Sequence, residues 1–376
     1  MPFLPPGRLT RLLLRIRALL GRTHRAMAPP PLQILEAMLP ILDNRVISIL
    51  DELGIPDLLD APRDVNDLAS ATATDPGNLN RLLRYAAARR LLFIDDDGRY
   101  RSGALIAAIR SDQVNPWHGW VRMVGSDWFW SALRKIDEPL RDPSTSGITA
   151  ATGHDFFDFV NKVRPDAGRD FNSAMEAGSR LQGLALAHRL DWRHSELVCD
   201  VGGGTGAAIE VLLGTYRHLR ATLFDLPSVV EEARPGLVSG ILKERCEIVG
   251  GDFFASVPAS ADRYLLVHII HDWDDERATT VLQRIREVMS QQAEVVVVEN
   301  VLPDRLREDL SYASDLLMLA LVSGRERTAG EYKDLFSAAN LLITSTVVLA
   351  TGATAFVLKQ MPPTQSPQRH DAEPNN

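Results

Sequence analysis

At 376 residues, with 45% hydrophobic and 24% charged residues, the chain is long enough for two domains with ordinary cores. Its two cysteines, Cys199 and Cys246, exclude a disulfide framework or a cysteine-based zinc site, and a reducing cytoplasm is the expected setting. The formal charge of −8 combines six arginines and no acid in residues 1–26 with −14 over the remainder, an acidic body that disfavours contact with a phosphate backbone.

The stretch Arg11 to Leu20 (RLLLRIRALL) has the pattern of a short basic amphipathic helix of the membrane-surface or targeting kind. Its apolar runs are too short to span a bilayer, so no stable membrane anchoring is expected. A proline break follows Met27, and residues 1–31 are expected to be a disordered tail of the sort an upstream start codon would leave. From Leu32 to about Leu59, Ile34, Met38, Leu42, Val46, Ile47 and Leu50 recur at helical spacing and predict one long helix. Further helices are predicted near Val65 to Ala71 and after Asp75-Pro76, followed by two short strands around an Asp97-Gly98 turn. Helices closed by a hairpin make a winged-helix pattern over residues 32–110. A DNA-binding regulator using Arg81, Arg84, Arg89 and Arg90 is the lesser alternative, opposed by the neighbouring Asp95-Asp96-Asp97 run.

Residues 111–191 read as helical and aromatic, a linker contributing to a substrate pocket. After Trp192 the pattern becomes strand–helix alternation: ELVCDVG, ATLFDL, CEIVGGD, RYLLVHII and EVVVVEN, with helices between. Five such strands predict an α/β, doubly wound, Rossmann-like parallel sheet over residues 192–361. Residues 362–376 are polar and proline-bearing and are expected to be disordered. In a doubly wound sheet ligands lie outside the carboxyl ends of the strands, and the chemistry-bearing motifs of this chain fall at such ends.

The segment Asp200-Val201-Gly202-Gly203-Gly204-Thr205-Gly206 closes the first strand and opens a helix, so the backbone can turn sharply and a ligand can approach without Cβ interference. Asp225 ends the next strand, placed to accept ribose hydroxyls. Gly202, Gly204 and Ala207 also satisfy the dinucleotide pattern G-x-G-x-x-A, so the loop alone does not decide between cofactors. Three features favour S-adenosyl-L-methionine. Asp200 precedes the glycines, facing the amino-acid end of such a cofactor; Gly250-Gly251-Asp252-Phe253 offers an acid and a ring to the adenine; and His271 suits proton abstraction beside a sulfonium.

The ordered set DVGGGTG, LFDLP, GGDFF, HDWDD, VVVEN and GRERT resembles the plant-type and actinobacterial small-molecule O-methyltransferases, the cation-independent caffeate and anthracycline group. The resemblance covers nearly the whole chain apart from its two tails, and it implies a helical and winged dimerisation domain before the catalytic one. It further implies that Gly202 and Gly204 approach the methionine part, that Asp225 and Leu226 form the ribose side, and that Asp252, Phe253 and Trp273 lie about the adenine. Where many relatives carry a lysine this chain has Val267, which implies one cofactor contact fewer.

His271 directly follows the strand Tyr264 to Ile270, Glu299 ends the fifth strand at the same edge, and Glu326 lies in the GRERT loop. Two carboxylates can orient an imidazole and stabilise its charged form. By the resemblance His271 is the catalytic base and Glu299 and Glu326 its flanking acids. Full proton transfer from a phenol to an ordinary histidine is uphill by roughly 4.8 kcal/mol, so the site has to stabilise the ions it makes. An aliphatic alcohol would be harder still, and a small aromatic substrate with a phenolic hydroxyl is expected. Met123, Phe171, Met175, Met318 and Leu321 are assigned to its wall by the same resemblance. Asp272 is placed with them, although capping a helix start or accepting from backbone is the more ordinary role for such an aspartate. His268 and His271 lack a third ligand at metal spacing, and no metal is expected. Some members of the resembling group use the same cofactor site for hydroxylation or decarboxylation of polyketide-type substrates; His271 with both glutamates favours methyl transfer.

Overall fold

The computed structural model describes residues 7–113 and 117–362, so most of the expected C-terminal tail lies outside the described residues. The N-terminal region differs from the sequence expectation in two ways. Gly7–Ala26 forms a helix rather than a disordered tail. The single long helix expected from Leu32 to Leu59 is instead three helices, Pro30–Met38, Pro40–Glu52 and Ile55–Leu58. Pro40 supplies no N–H to the preceding turn, and Gly54 takes a left-handed φ of +67° that breaks the chain again.

The wing is as expected. Helices Val65–Thr72 and Pro76–Ala88, capped by Asp64 and Asp75, precede the antiparallel pair β1 (Leu92–Ile94) and β2 (Tyr100–Ser102). The arginines do not meet the Asp95–Asp97 run, however. Arg89 crosses to Asp43, and it is Arg99 that pairs with Asp95 and Asp97. Leu50, Ile55, Leu68, Leu83 and Leu92 fill the core of this domain.

The catalytic domain is built on a seven-stranded sheet. Its parallel strands are β3 (Leu197–Val201), β4 (Arg220–Asp225), β5 (Cys246–Gly250), β6 (Arg263–Val267) and β7 (Glu294–Glu299). A small parallel pair, β8 (Val301–Leu302) and β9 (Arg327–Thr328), follows, and the hairpin β10 (Leu341–Val348) and β11 (Thr354–Gln360) completes the sheet. The order is β10-β11-β7-β6-β3-β4-β5, with β11 antiparallel to β7. The strand order reverses at β3, with β4 and β5 to one side and β6 and β7 to the other, and this switch opens a crevice at the carboxyl ends of β3 and β6. Buried Val, Leu and Ile residues cover both faces, as a parallel sheet requires.

Between the domains, the helix Pro165–Arg189 packs on the helices His118–Gly125 and Ala207–Thr215. A fourth apolar cluster lies here, with Trp128, Phe129, Phe156 and Phe159 at its centre. Among the described residues no helix is long and apolar enough to cross a membrane.

Candidate active site

The glycine loop takes the conformation its residues permit. Gly202, Gly204 and Gly206 have φ of +70°, +59° and +89°, a region costly for any residue with a Cβ. A Cβ on Gly202 would fall 2.6 Å from Ile269, so the loop is packed directly against the segment leading to His271. A Cβ on Gly204 would meet nothing within 4 Å, which marks the open side of the loop.

Two acids lie beneath it. Asp225 accepts from the Gly204 N–H at 2.8 Å and from the Leu226 N–H at 2.7 Å, so the expected ribose acid also holds the loop in shape. Burial raises its pKa, and those two N–H groups pull it back. Asp200 is buried, its Oδ2 without a hydrogen-bond partner, and burial together with the charge of Asp225 pushes its pKa up to about 7. An unpartnered carboxylate oxygen in such a place fits the ammonium end of an amino-acid ligand.

Loop positioning also uses residues that sequence reading missed. Thr205 Oγ1 donates to Glu176, and Arg234 joins Glu176 and Glu210, with Arg180 also on Glu210 at 3.2 Å. These groups come from three separate helical regions, and no local spacing announces them.

Phe253 and Trp273, expected about an adenine, do come together, with ring centroids 6.0 Å apart, and Phe254 lies edge-on to Trp273 at 4.8 Å. Phe157 stacks on the same indole at 5.3 Å, and Arg277 covers it at 4.2 Å. The indole Nε1 is buried and unpartnered. Asp252 is exposed and accepts from the Phe254 N–H, which fixes the turn after β5.

His271 sits on a short 3-10 turn beyond β6 and is buried. Its Nδ1–H donates to Glu326 Oε1 at 3.0 Å, and Glu299 Oε2 lies 3.6 Å from the same nitrogen. Nε2 makes no hydrogen bond among the described residues, and Asp272 Oδ1 is 3.6 Å away. Burial lowers the pKa of His271, but the charge of Glu299, the hydrogen bond to Glu326 and the charge of Asp272 outweigh it and push the value up to about 10. Glu326 is correspondingly lowered: burial opposes ionisation, and the bonds from His271, Ser314 and Asn300 overcome it.

Asp272 does not cap the following helix. Asp274 does, accepting from the Arg277 N–H, while burial pushes Asp272 up to about 7. The most important omission from the sequence reading is Arg327, fully buried beside Glu326. Its guanidinium donates to the carbonyls of Ile270 at 3.2 Å and Trp273 at 2.8 Å and pairs with Asp275, bracketing His271 from both sides. Gly324 fits against the same backbone: a Cβ there would lie 2.0 Å from the His271 carbonyl oxygen.

The five expected wall residues belong to a single cluster. Met123 and Leu321 are buried, and Phe171, Met175 and Met318 are half-buried against Trp128, Phe156 and Phe159. Phe157 joins this cluster to Trp273, so the wall and the His271 turn are in contact.

Residues 135–341, which include the glycine loop, His271, Glu299 and Glu326, match the family model described as an O-methyltransferase domain. The chain belongs to that O-methyltransferase family. It is 33% identical over 317 residues to the mitomycin biosynthesis 6-O-methyltransferase of Streptomyces lavendulae, covering 83% of this chain and 89% of that one. It is 31% identical over 334 residues to the phenazine O-methyltransferase PhzM of Lysobacter antibioticus, covering 88% and 96%. Among solved structures, LaPhzM superposes with a TM-score of 0.83 at 28% identity, over 89% of this chain and all of that one. The mitomycin 7-O-methyltransferase MmcR gives 0.81 at 30%, over 90% and 100%. This O-methyltransferase is therefore an enzyme of the doubly wound fold that its strand pattern predicts, with the helical domain in front.

Proposed function

We propose that this O-methyltransferase methylates a phenolic hydroxyl of an aromatic secondary metabolite, with S-adenosyl-L-methionine as donor and His271 as general base. The observation that carries the reading is the seat of His271, tied through Nδ1 to Glu326, flanked by Glu299, with Nε2 making no hydrogen bond among the described residues, on a turn whose Ile269 packs against Gly202 of the glycine loop. By their names, one relative is a methyltransferase of mitomycin biosynthesis and the other a phenazine O-methyltransferase, which supports an aromatic substrate.

The residues present fit the cofactor. Asp200 has an unpartnered oxygen, Gly204 opens onto free space, and Asp225 with Leu226, Asp252, Phe253 and Trp273 would hold the nucleoside. S-adenosylmethionine supplies, when bound, a methyl group on a positively charged sulfur. His271 takes the hydroxyl proton on Nε2 and leaves the oxygen as nucleophile, and Glu326 and Glu299 stabilise the imidazolium. With His271 near 10, transfer from a phenol of pKa about 10 is close to thermoneutral, where an ordinary histidine would face roughly 4.8 kcal/mol. The remaining expense is the neutral imidazole itself, about 4 kcal/mol at pH 7, and a cation nearby reduces it.

We infer a homodimer from the helices Pro30–Met38 and Pro40–Glu52, where Ile34 and Met38 are 63% and 64% exposed and Ile41 and Leu42 continue the apolar face. A monomer by light scattering at micromolar concentration refutes that part. The activity is tested by incubating the protein with labelled S-adenosylmethionine and a panel of phenols. Products heavier by one methylene are expected. Cofactor binding without transfer to any hydroxyl overturns the reading, and a gain of oxygen or loss of carbon dioxide assigns the chemistry elsewhere.

A further inference from the structure

The parallel register sets Val267 of β6 beside Val298 of β7, so His268 and Glu299 emerge next to each other at the carboxyl edge. His268 has a φ of +55°, and this left-handed turn brings its ring to within 5.3 Å of the His271 ring. Glu299 Oε2 then lies 3.6 Å from His268 Nδ1 and 3.6 Å from His271 Nδ1, with all three atoms within 4.8 Å of one another. Two of the three, Glu299 Oε2 and His268 Nδ1, are buried and have no hydrogen-bond partner among the described residues. Glu299 itself is 0% exposed, and its other oxygen is committed to the N–H groups of Ile269 and Ile270, which aims Oε2 into the gap.

We propose that His268, His271 and Glu299 form a site for a tetrahedral divalent transition-metal ion, Zn²⁺ or Co²⁺, that displaces the Nδ1 protons of both imidazoles, leaves Nε2 of His271 carrying its proton and so withdraws His271 from use as a base. The last clause rests on the proposed function; the site does not. The spacing of the two histidines hides the ligand set in the sequence, because the third ligand comes from the neighbouring strand.

The donor set and the distances choose the ion. Zinc bonds to histidine nitrogen and carboxylate oxygen are about 2.0–2.2 Å, which places neighbouring ligands about 3.4 Å apart in a tetrahedron. An octahedral ion with similar bonds brings them to about 3.0 Å. The two 3.6 Å separations suit the tetrahedron, and imidazole nitrogens are poor ligands for magnesium or calcium. The surroundings supply support as well. Gln182, whose oxygen accepts from Thr351, donates its amide N–H to His268 Nε2 at 2.9 Å, so an ion on Nδ1 requires the Gln182 amide to turn its oxygen to the outer N–H, with Thr351 Oγ1 then accepting. Glu326 Oε1 is committed to His271, Ser314 and Asn300, so the site offers three protein ligands and an open fourth position, as three-ligand zinc sites do. The side chain of His268 is partly exposed, which gives an ion a way in.

Cobalt titration into the metal-free, full-length protein tests the site without reference to catalysis. The expected result is the intense visible absorption of tetrahedral cobalt, saturating at one equivalent and abolished by Zn²⁺. His268→Gln and Glu299→Gln should each bind Zn²⁺ at least tenfold more weakly in a competition with a chromophoric chelator, with melting curves confirming that both variants fold. A weak octahedral spectrum, no saturation at one equivalent, or a folded His268→Gln protein that binds as tightly as wild type overturns the proposal. If methyl transfer is measurable, one equivalent of Zn²⁺ should suppress it in wild type and EDTA should restore it. Stoichiometric zinc that leaves turnover unchanged overturns the claim on His271. A protein that transfers methyl to no acceptor leaves the cobalt result decisive and condemns only the proposed function.

Discussion

Glu299 holds His271 in two ways at once: Oε1 accepts from the N–H groups of Ile269 and Ile270 at 3.1 and 2.8 Å, while Oε2 lies 3.6 Å from the imidazole Nδ1. One oxygen shapes the turn and the other sets its charge. Substitution with glutamine separates the two, because the amide oxygen can still accept from the backbone and the negative charge is gone.

Glu299→Gln should therefore leave the turn intact and lower the pKa of His271. In wild type, with the base held near 10, kcat/KM should climb with pH through the neutral range toward that value. In the variant the rise should end at least one unit lower. The same shift appears in stability. A histidine raised from 6.5 to about 10 contributes stability that is complete below pH 6.5 and disappears as pH rises through 10. Thermal melts should show wild type losing stability between pH 6.5 and 10 and the variant losing less; parallel curves for the two proteins would show that Glu299 does not govern the imidazole.

His271→Ala removes the base while Ile269, which contacts the glycine loop, stays in place. Turnover should drop by about 10²–10⁴-fold, with cofactor affinity by calorimetry changed little. Unchanged turnover would reject the assignment.

Arg327 and Gly324 test how tightly the turn must be held. Arg327→Met takes the donor from the Trp273 carbonyl and leaves Ile270 only its long bond from the Trp273 N–H, and a buried acceptor so stranded costs about 1–3 kcal/mol. A fall in melting temperature should accompany a fall in kcat larger than the change in KM. Gly324→Ala must displace backbone, since its Cβ would lie 2.0 Å from the His271 oxygen, and it should lose activity even where folded protein is recovered. Full activity in a folded Gly324→Ala protein would mean the turn tolerates movement.

What could be read in advance follows from how the fold distributes its residues. Asp225 and Glu299 end their strands, Asp200 is one residue from the end of β3 and His271 follows β6 by a short turn, and parallel strands carry their ends to one edge, so a linear pattern announces a three-dimensional cluster. Apolar residues keep helical spacing on both sides of Pro40, Ile34 and Met38 before it and Leu42, Val46 and Leu50 after it, and that concealed the break. The hairpin β10–β11 follows the last chemical motif and so drew no attention, although it completes the sheet. The Glu176–Arg234–Glu210 group and the Arg327 bracket depend on side chains meeting across tens of residues, where neither spacing nor composition leaves a trace.

Asp200 should display a conflict between stability and binding. Its carboxyl is buried with one oxygen unpartnered, and its pKa rises from 3.8 to about 7 in the folded chain. A raised carboxyl binds its proton more tightly folded than unfolded, so stability declines as pH climbs from about 4 to 7 and is lowest, on this account, once the group is ionised. Asp200→Asn removes the ionisation and should stabilise the ligand-free protein by up to about 4 kcal/mol above pH 7, with no gain at pH 4. Under the proposed function the same change weakens S-adenosylmethionine, whose ammonium loses its acid. Melting curves at pH 4.5 and 8 with and without the cofactor would measure both effects. If Asp200→Asn is less stable than wild type at pH 8, the carboxylate is already satisfied in the free protein; if its cofactor shift equals that of wild type, Asp200 does not serve the ligand.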